Sequence, residues 1–127
     1  MKIRVYYEDT DCGNVVYYAN YLKYMERGRT EFMRDRGAGF ARFHEQGLLF
    51  VVTQATLRYH APAVYDDLLD VDTRIKELSS VSIVFETAFK NDKGPLLVAG
   101  EVRVACVNKE GKLRRIPREV LDCLEKP

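Results

Sequence analysis

Only one long stretch of this 127-residue chain carries a helical period, and most of what surrounds it reads as strand. Between Asn20 and about Arg36, the residues Tyr21, Leu22, Met25, Gly28, Phe32 and Met33 recur at helical spacing and share one side. Lys23, Glu26, Arg27, Thr30, Glu31 and Arg34 occupy much of the remainder. The pattern predicts an amphipathic helix with Asn20 as its N-cap and Gly37 as the C′ residue. Gly28 stands mid-helix, where glycine costs about 1 kcal/mol relative to alanine. A glycine there is expected to let the helix lie very close to a sheet.

The sheet is read from alternation. Residues 2–8 place Ile3, Val5 and Tyr7 on one face and Lys2, Arg4 and Tyr6 on the other, as a half-buried strand does. Residues 37–49 read as a connection with one helical turn from Phe40 to Glu45. Phe50 to Tyr59 is rich in β-branched residues, and Pro62 breaks it. Leu68 to Leu78 and Val81 to Phe89 alternate on either side of the Ser79-Ser80 turn. The turn signal Asn91-Asp92-Lys93-Gly94-Pro95 leads into a last long strand, Leu96 to Asn108, and Pro117 can open a short terminal helix. Together these predict one α+β domain over residues 1–127, with an antiparallel sheet whose apolar face the helix must cover. One helix covers only part of so long a sheet, so a dimer or a higher even oligomer is expected to bury the rest.

Between the first strand and the helix lies Asp9-Thr10-Asp11-Cys12-Gly13-Asn14-Val15-Val16-Tyr17-Tyr18-Ala19. This sets an acidic loop against a helix N-terminus, whose amides lack intrahelical partners and carry positive potential. A base or nucleophile facing an oxyanion site suits acyl chemistry. A net charge of +1 argues against a nucleic-acid surface. Cys12, Cys106 and Cys123 have no C-x-x-C spacing, which fits reduced thiols and a cytoplasmic setting. The amino-terminal residues show no apolar signal-peptide core, and no apolar run is long enough to span a membrane. His44 and His60 lack metal-ligand spacing, so no metal or other cofactor is expected.

The chain resembles the hotdog-fold thioesterases of the 4-hydroxybenzoyl-CoA thioesterase type, and among them the Tol-Pal-associated acyl-CoA thioesterases of bacteria. The resemblance rests on Tyr7-Glu8-Asp9-Thr10-Asp11, Gly13, Val15-Val16-Tyr17, Ala19-Asn20-Tyr21 and Glu26-Arg27-Gly28-Arg29-Thr30-Glu31. Tyr59-His60-Ala61-Pro62-Ala63, Asp66-Asp67-Leu68-Leu69 and Arg114-Arg115-Ile116-Pro117 follow in the right order. It implies a five-stranded antiparallel sheet wrapped around one long central helix, dimers or tetramers, and acyl-CoA as substrate. The catalytic aspartate of the family falls on Asp11, and its functional position at the start of the helix falls on Tyr18. Many similar chains carry histidine there; with tyrosine, the backbone N–H keeps the oxyanion role and no imidazole is available. The resemblance also implies substrate contacts from Gly13, Val15 and Tyr17, and nucleotide contacts from the turn holding Ser80 and Ser82.

Each assignment has a plainer counterpart. Asp9 and Asp11 can be turn or capping residues, as aspartates in such loops often are; Asp9 is read as structural and Asp11 as base or nucleophile. Glu26 and Glu31 rank below Asp11, because a solvated helix face paired with Arg27, Arg29 or Lys23 accounts for them. His60 either lines an acyl pocket or ends a strand. Cys12 abuts Asp11 but has no nearby histidine to activate it. Arg58, Lys76, Lys90, Lys93 and Arg103, with amides around Ser79, Ser80 and Ser82, are candidates for the CoA phosphates. Tyr17, Tyr18, Tyr21 and Tyr24 either wall the acyl pocket or pack the core. A non-catalytic acyl-CoA or acyl-carrier-binding module is the alternative function.

Overall fold

The computed structural model describes residues 1–92 and 94–125, with every side chain among them except that of Arg42. Its elements are β1 (Lys2–Arg4), α1 (Asn20–Asp35), α2 (Phe40–Glu45), β2 (Leu48–Tyr59), β3 (Leu68–Leu78), β4 (Ser82–Asn91), β5 (Leu96–Asn108) and α3 (Arg118–Glu125). The strands form one antiparallel sheet in the order β1-β3-β4-β5-β2, curled around α1 in the hotdog arrangement expected.

Two absent side chains seat the helix. A Cβ on Gly28 would stand 2.6 Å from Thr73 Oγ1 and 3.5 Å from Val71 Cγ1, so α1 rests directly on β3. A Cβ on Gly100 of β5 would stand 2.7 Å from Met25 Sδ, so that strand makes room for the helix's methionine. Tyr21, Tyr24, Met25 and Met33 are buried in the core they form with Leu69, Val71, Phe85, Phe89 and Val98. At its far end α1 stops at Gly37, whose φ of +77° suits glycine. The Gly37 N–H reaches Arg34 O at 3.0 Å and the Ala38 N–H reaches Met33 O at 2.8 Å, a Schellman stop.

The remaining elements close the ends of the sheet. Phe43 of α2 packs edge-on against Phe50 of β2, with ring centroids 4.7 Å apart. α3 buries Val120, Leu121 and Leu124, and the N–H groups of Val120 and Leu121 both reach the Pro117 carbonyl, so proline stands directly ahead of that helix, one residue before the first helical position expected for it. The Ile116 N–H donates to Ser80 O at 2.7 Å, tying the terminal segment to the β3–β4 turn. β2 lies at the sheet edge with Val52 55% exposed.

Three readings need correction. The first strand ends at Arg4 rather than running to residue 8, and Tyr7, expected on the buried face, is 78% exposed. Val5 still donates to Asp67 O at 2.9 Å, but the Tyr6 N–H turns back to Asp9 Oδ2 at 2.9 Å and residues 7–9 form a 3-10 turn. On α1 the buried stripe runs through Tyr24 and Arg29, while Leu22 faces solvent. Asn20 is not the cap: Ala19 is, and no side chain caps the helix. In the predicted turn at 91–95, the Gly94 N–H reaches Asn91 O, and Lys93 lies outside the described residues.

Candidate functional site

The acidic loop is a hairpin of its own. The Asp11 N–H donates to Val15 O at 3.0 Å, and the Asn14 N–H donates to Asp11 O at 3.0 Å. Single bridges pair Thr10 with Val16 and Val15 with Val64. Asn14, not Gly13, takes the left-handed position, with φ of 65°; its short polar side chain tolerates that conformation. Asp11 opens the turn, and its Oδ1 accepts the Gly13 N–H at 2.8 Å. The turn reading of Asp11 is therefore correct as far as one oxygen goes. Its other oxygen makes no hydrogen bond among the described residues, and the side chain faces solvent.

Asp9 does the structural work anticipated for it. Its carboxylate takes the Tyr6 N–H, while its carbonyl accepts the Tyr17 N–H at 2.9 Å and Asn20 Nδ2 at 2.8 Å. The side chain expected to cap α1 thus ties the helix to the base of the loop. The Asn20 amide is satisfied by Tyr17 O at 2.8 Å, a turn directly ahead of the helix. Within that turn the N–H groups of Tyr18 and Ala19 have no partner among the described residues. Two unpaired amides at the positive end of α1 thus lie seven and eight residues beyond Asp11 in the chain.

The four tyrosines divide. Tyr21 and Tyr24 are core residues, 2% and 1% exposed, with rings 6.0 Å apart at nearly right angles. Burial pushes both phenols above their ordinary value of 10.0. The Asp9 carboxylate, close to its hydroxyl, adds to the effect at Tyr24, though no bond of standard geometry reaches that buried oxygen among the described residues. Tyr17 and Tyr18 are exposed, their rings 4.9 Å apart. The Tyr17 phenol is raised chiefly by the adjoining Tyr18 hydroxyl, and in smaller part by burial and by Asp11, which puts that carboxylate within electrostatic reach of the ring. Val15 is partly buried and bridges to Val64.

The other candidates lie elsewhere. The His60 N–H donates to Leu97 O at 2.8 Å, and its side chain lines an open depression of about 870 Å³ together with Arg58, Asp72, Glu86, Lys90 and Glu101. Those strand residues alternate with Val71 and Thr87 of the helix-facing side, so most of the depression belongs to the sheet face turned away from α1; neither Asp11 nor Tyr18 borders it. Lys76 is bonded to Glu101, and Arg103 to Glu77 at 3.3 Å; Arg58 and Lys90 have no ion pair among the described residues. In the β3–β4 turn, Ser79 Oγ accepts the N–H groups of Val81 (3.2 Å) and Ser82 (2.9 Å), while the Ser80 N–H has no partner among the described residues. Glu26 accepts the Thr30 hydroxyl at 3.1 Å and acts electrostatically on Arg29, one of the partners anticipated, whereas Glu31 pairs with Arg34 instead. Sequence reasoning missed Tyr59, whose hydroxyl donates to Tyr18 O at 2.9 Å. Among the described residues no three His, Cys, Asp or Glu side chains gather as metal ligands, and no helix is long and apolar enough to cross a membrane.

Comparison with known proteins places this geometry in context. The model of the thioesterase-like superfamily matches residues 5–124. The acyl-CoA thioester hydrolase YbgC of Escherichia coli O157:H7 is 39% identical over 120 residues, covering 94% of this chain and 90% of that protein. The acyl-CoA thioesterase YbgC of Haemophilus influenzae is 42% identical over 123 residues, covering 93% and 88%. A solved structure, the probable thioesterase from Bartonella henselae, superposes with a TM-score of 0.85 at 38% identity, covering 92% of this chain and 97% of its own.

Proposed function

The chain belongs to the thioesterase-like superfamily, and on that premise we propose that it hydrolyses an acyl-CoA thioester to the free acid and CoA. The observation that carries the reading is the Asp11–Ala19 segment. One carboxylate oxygen is anchored by Gly13, the other is free, and two unpaired amides precede α1. A thioester carbonyl is already electrophilic, so it needs a base or nucleophile on one side and donors on its oxygen. Asp11 supplies the first, either by attacking the carbonyl to give a mixed anhydride that water then hydrolyses, or by deprotonating the attacking water. The Tyr18 N–H supplies the second. On either route the carbonyl oxygen becomes an oxyanion at the helix N-terminus, and collapse of the intermediate expels the CoA thiolate. Gly13, Val15 and Tyr17 shape the acyl side of the site; the Ser80 amide, beside Ser82, serves the nucleotide.

The exposed edge of β2 supports assembly with a second copy of this chain, because an unpaired edge strand carrying exposed valines is otherwise a template for aggregation. Light scattering is expected to return a multiple of the 14.7 kDa chain mass.

Thiol release from a panel of aliphatic and aromatic acyl-CoAs tests the function. Hydrolysis of at least one member by the wild type, lost in Asp11→Asn, is the expected result. Binding of acyl-CoA with no thiol release by either protein replaces the enzyme with a binding module.

A further inference from the structure

We propose that Tyr59 is a positioning residue for this reaction, its hydroxyl fixing the peptide between Tyr18 and Ala19 so that the Ala19 N–H is a second oxyanion donor. The inference rests on the thioesterase reading above. Tyr59 is the last residue of β2, held in register opposite Val98 of β5. Its ring packs edge-on against buried Tyr21, with centroids 5.7 Å apart. From that seat its hydroxyl donates to the Tyr18 carbonyl at 2.9 Å.

Peptide planarity turns this single bond into control of the neighbouring donor. In a trans peptide the C=O of one residue and the N–H of the next point in opposite directions. Holding the Tyr18 carbonyl toward β2 therefore aims the Ala19 N–H away from it. Ala19 already has helical dihedrals, φ −75° and ψ −17°, so its N–H points out of the start of α1 with the helix dipole behind it. That amide, like the Tyr18 amide, has no partner among the described residues. A hydrogen bond accepted by the carbonyl also polarises the same peptide and strengthens its N–H as a donor. Tyr59 does not touch the thioester in this scheme; it acts through the backbone.

Tyr59→Phe keeps the ring on Tyr21 and removes only the hydroxyl. Full loss of one oxyanion donor typically costs about 10²–10³ in rate, so loosening one is expected to lower kcat about tenfold, with KM within about twofold. The Ala19 amide proton of the unliganded variant should shift upfield in a nitrogen–proton correlation spectrum, with the melting temperature unchanged. Replacing Tyr59 by 3-fluorotyrosine, which keeps both ring and donor, should preserve kcat. An unchanged kcat in Tyr59→Phe, or a loss of kcat with the Ala19 amide unmoved, overturns the proposal. If the wild type releases no thiol, the underlying thioesterase reading falls instead. If Asp11→Asn is inactive while Tyr59→Phe is not, only the positioning role falls.

Discussion

Gly28→Ala is expected to destabilise this protein even though alanine is the better helix former, and the sign should reverse when Thr73 is trimmed. Alanine in place of mid-helix glycine gains about 1 kcal/mol of helix propensity. Against that, the new Cβ would lie 2.6 Å from Thr73 Oγ1, closer than side chains tolerate. Thr73 is β-branched and set in β3 opposite Thr87, so χ1 rotation exchanges one atom for another in packed surroundings. Overpacking of this kind costs about 1–3 kcal/mol, which leaves a net loss of about 1 kcal/mol. Among the described residues Thr73 Oγ1 has no hydrogen-bond partner, so Thr73→Ala removes the obstacle without orphaning another group. The next neighbour of the new Cβ is then Val71 Cγ1 at 3.5 Å, an ordinary contact. In the Thr73→Ala background, Gly28→Ala should therefore stabilise by about 1 kcal/mol. Urea unfolding of all four proteins at one fixed concentration, with equal m-values, reads this directly. The same sign in both backgrounds would refute the close seating of α1 on β3.

Raised tyrosines give a pH prediction. Burial holds Tyr24 protonated above its ordinary value of 10.0, so above that pH the unfolded chain releases a proton the folded chain keeps. Stability is then fully present below pH 10 and falls as pH rises; Tyr24→Phe should lessen the fall. Cys12→Ser should keep thiol release within about threefold of wild type, since the two histidines, His44 and His60, stand far along the chain from that exposed thiol and the proposed chemistry runs through Asp11. A loss of orders of magnitude would shift the chemistry from Asp11 to Cys12.

The parts of this fold that were legible in the sequence are those marked locally, by period or by turn residues. β3 begins and ends where alternation does, because a strand buried on one side must write its geometry into every second residue; β5 begins after the turn signal at 91–95, and α2 occupies Phe40–Glu45 as read. Gly28 was legible for the same reason: a costly glycine in a helix interior implies a close neighbour. What was not legible depends on contacts distant in sequence. Tyr7 continues the alternation of Ile3 and Val5, yet the Asp9 carboxylate captures the Tyr6 amide and turns the chain away. Asn20 has the right residue type for a cap, but the carbonyl of Asp9 offers its side chain a partner across the loop. The stripe on α1 included Leu22 and missed Tyr24 because the curled sheet and the acidic loop decide which side is covered. At the site, Asp11 and the helix start could be read from residue type and order; Tyr59, 41 residues beyond Tyr18, could not, since nothing local marks which carbonyl a strand-end phenol will reach.

Two carboxylates in one loop divide the labour, and comparing Asp11→Asn with Asp9→Ala tests that division most directly. Steady-state kcat on the best acyl-CoA and the melting temperature would be measured for both variants. Asp11→Asn should lose at least about 10²-fold in kcat with an unchanged melting temperature, because its free oxygen supports no part of the fold. Asp9→Ala should lower the melting temperature, because it removes the oxygen that accepts the Tyr6 N–H and anchors the turn. An Asp11→Asn enzyme that still turns over near the wild-type rate would contradict the account.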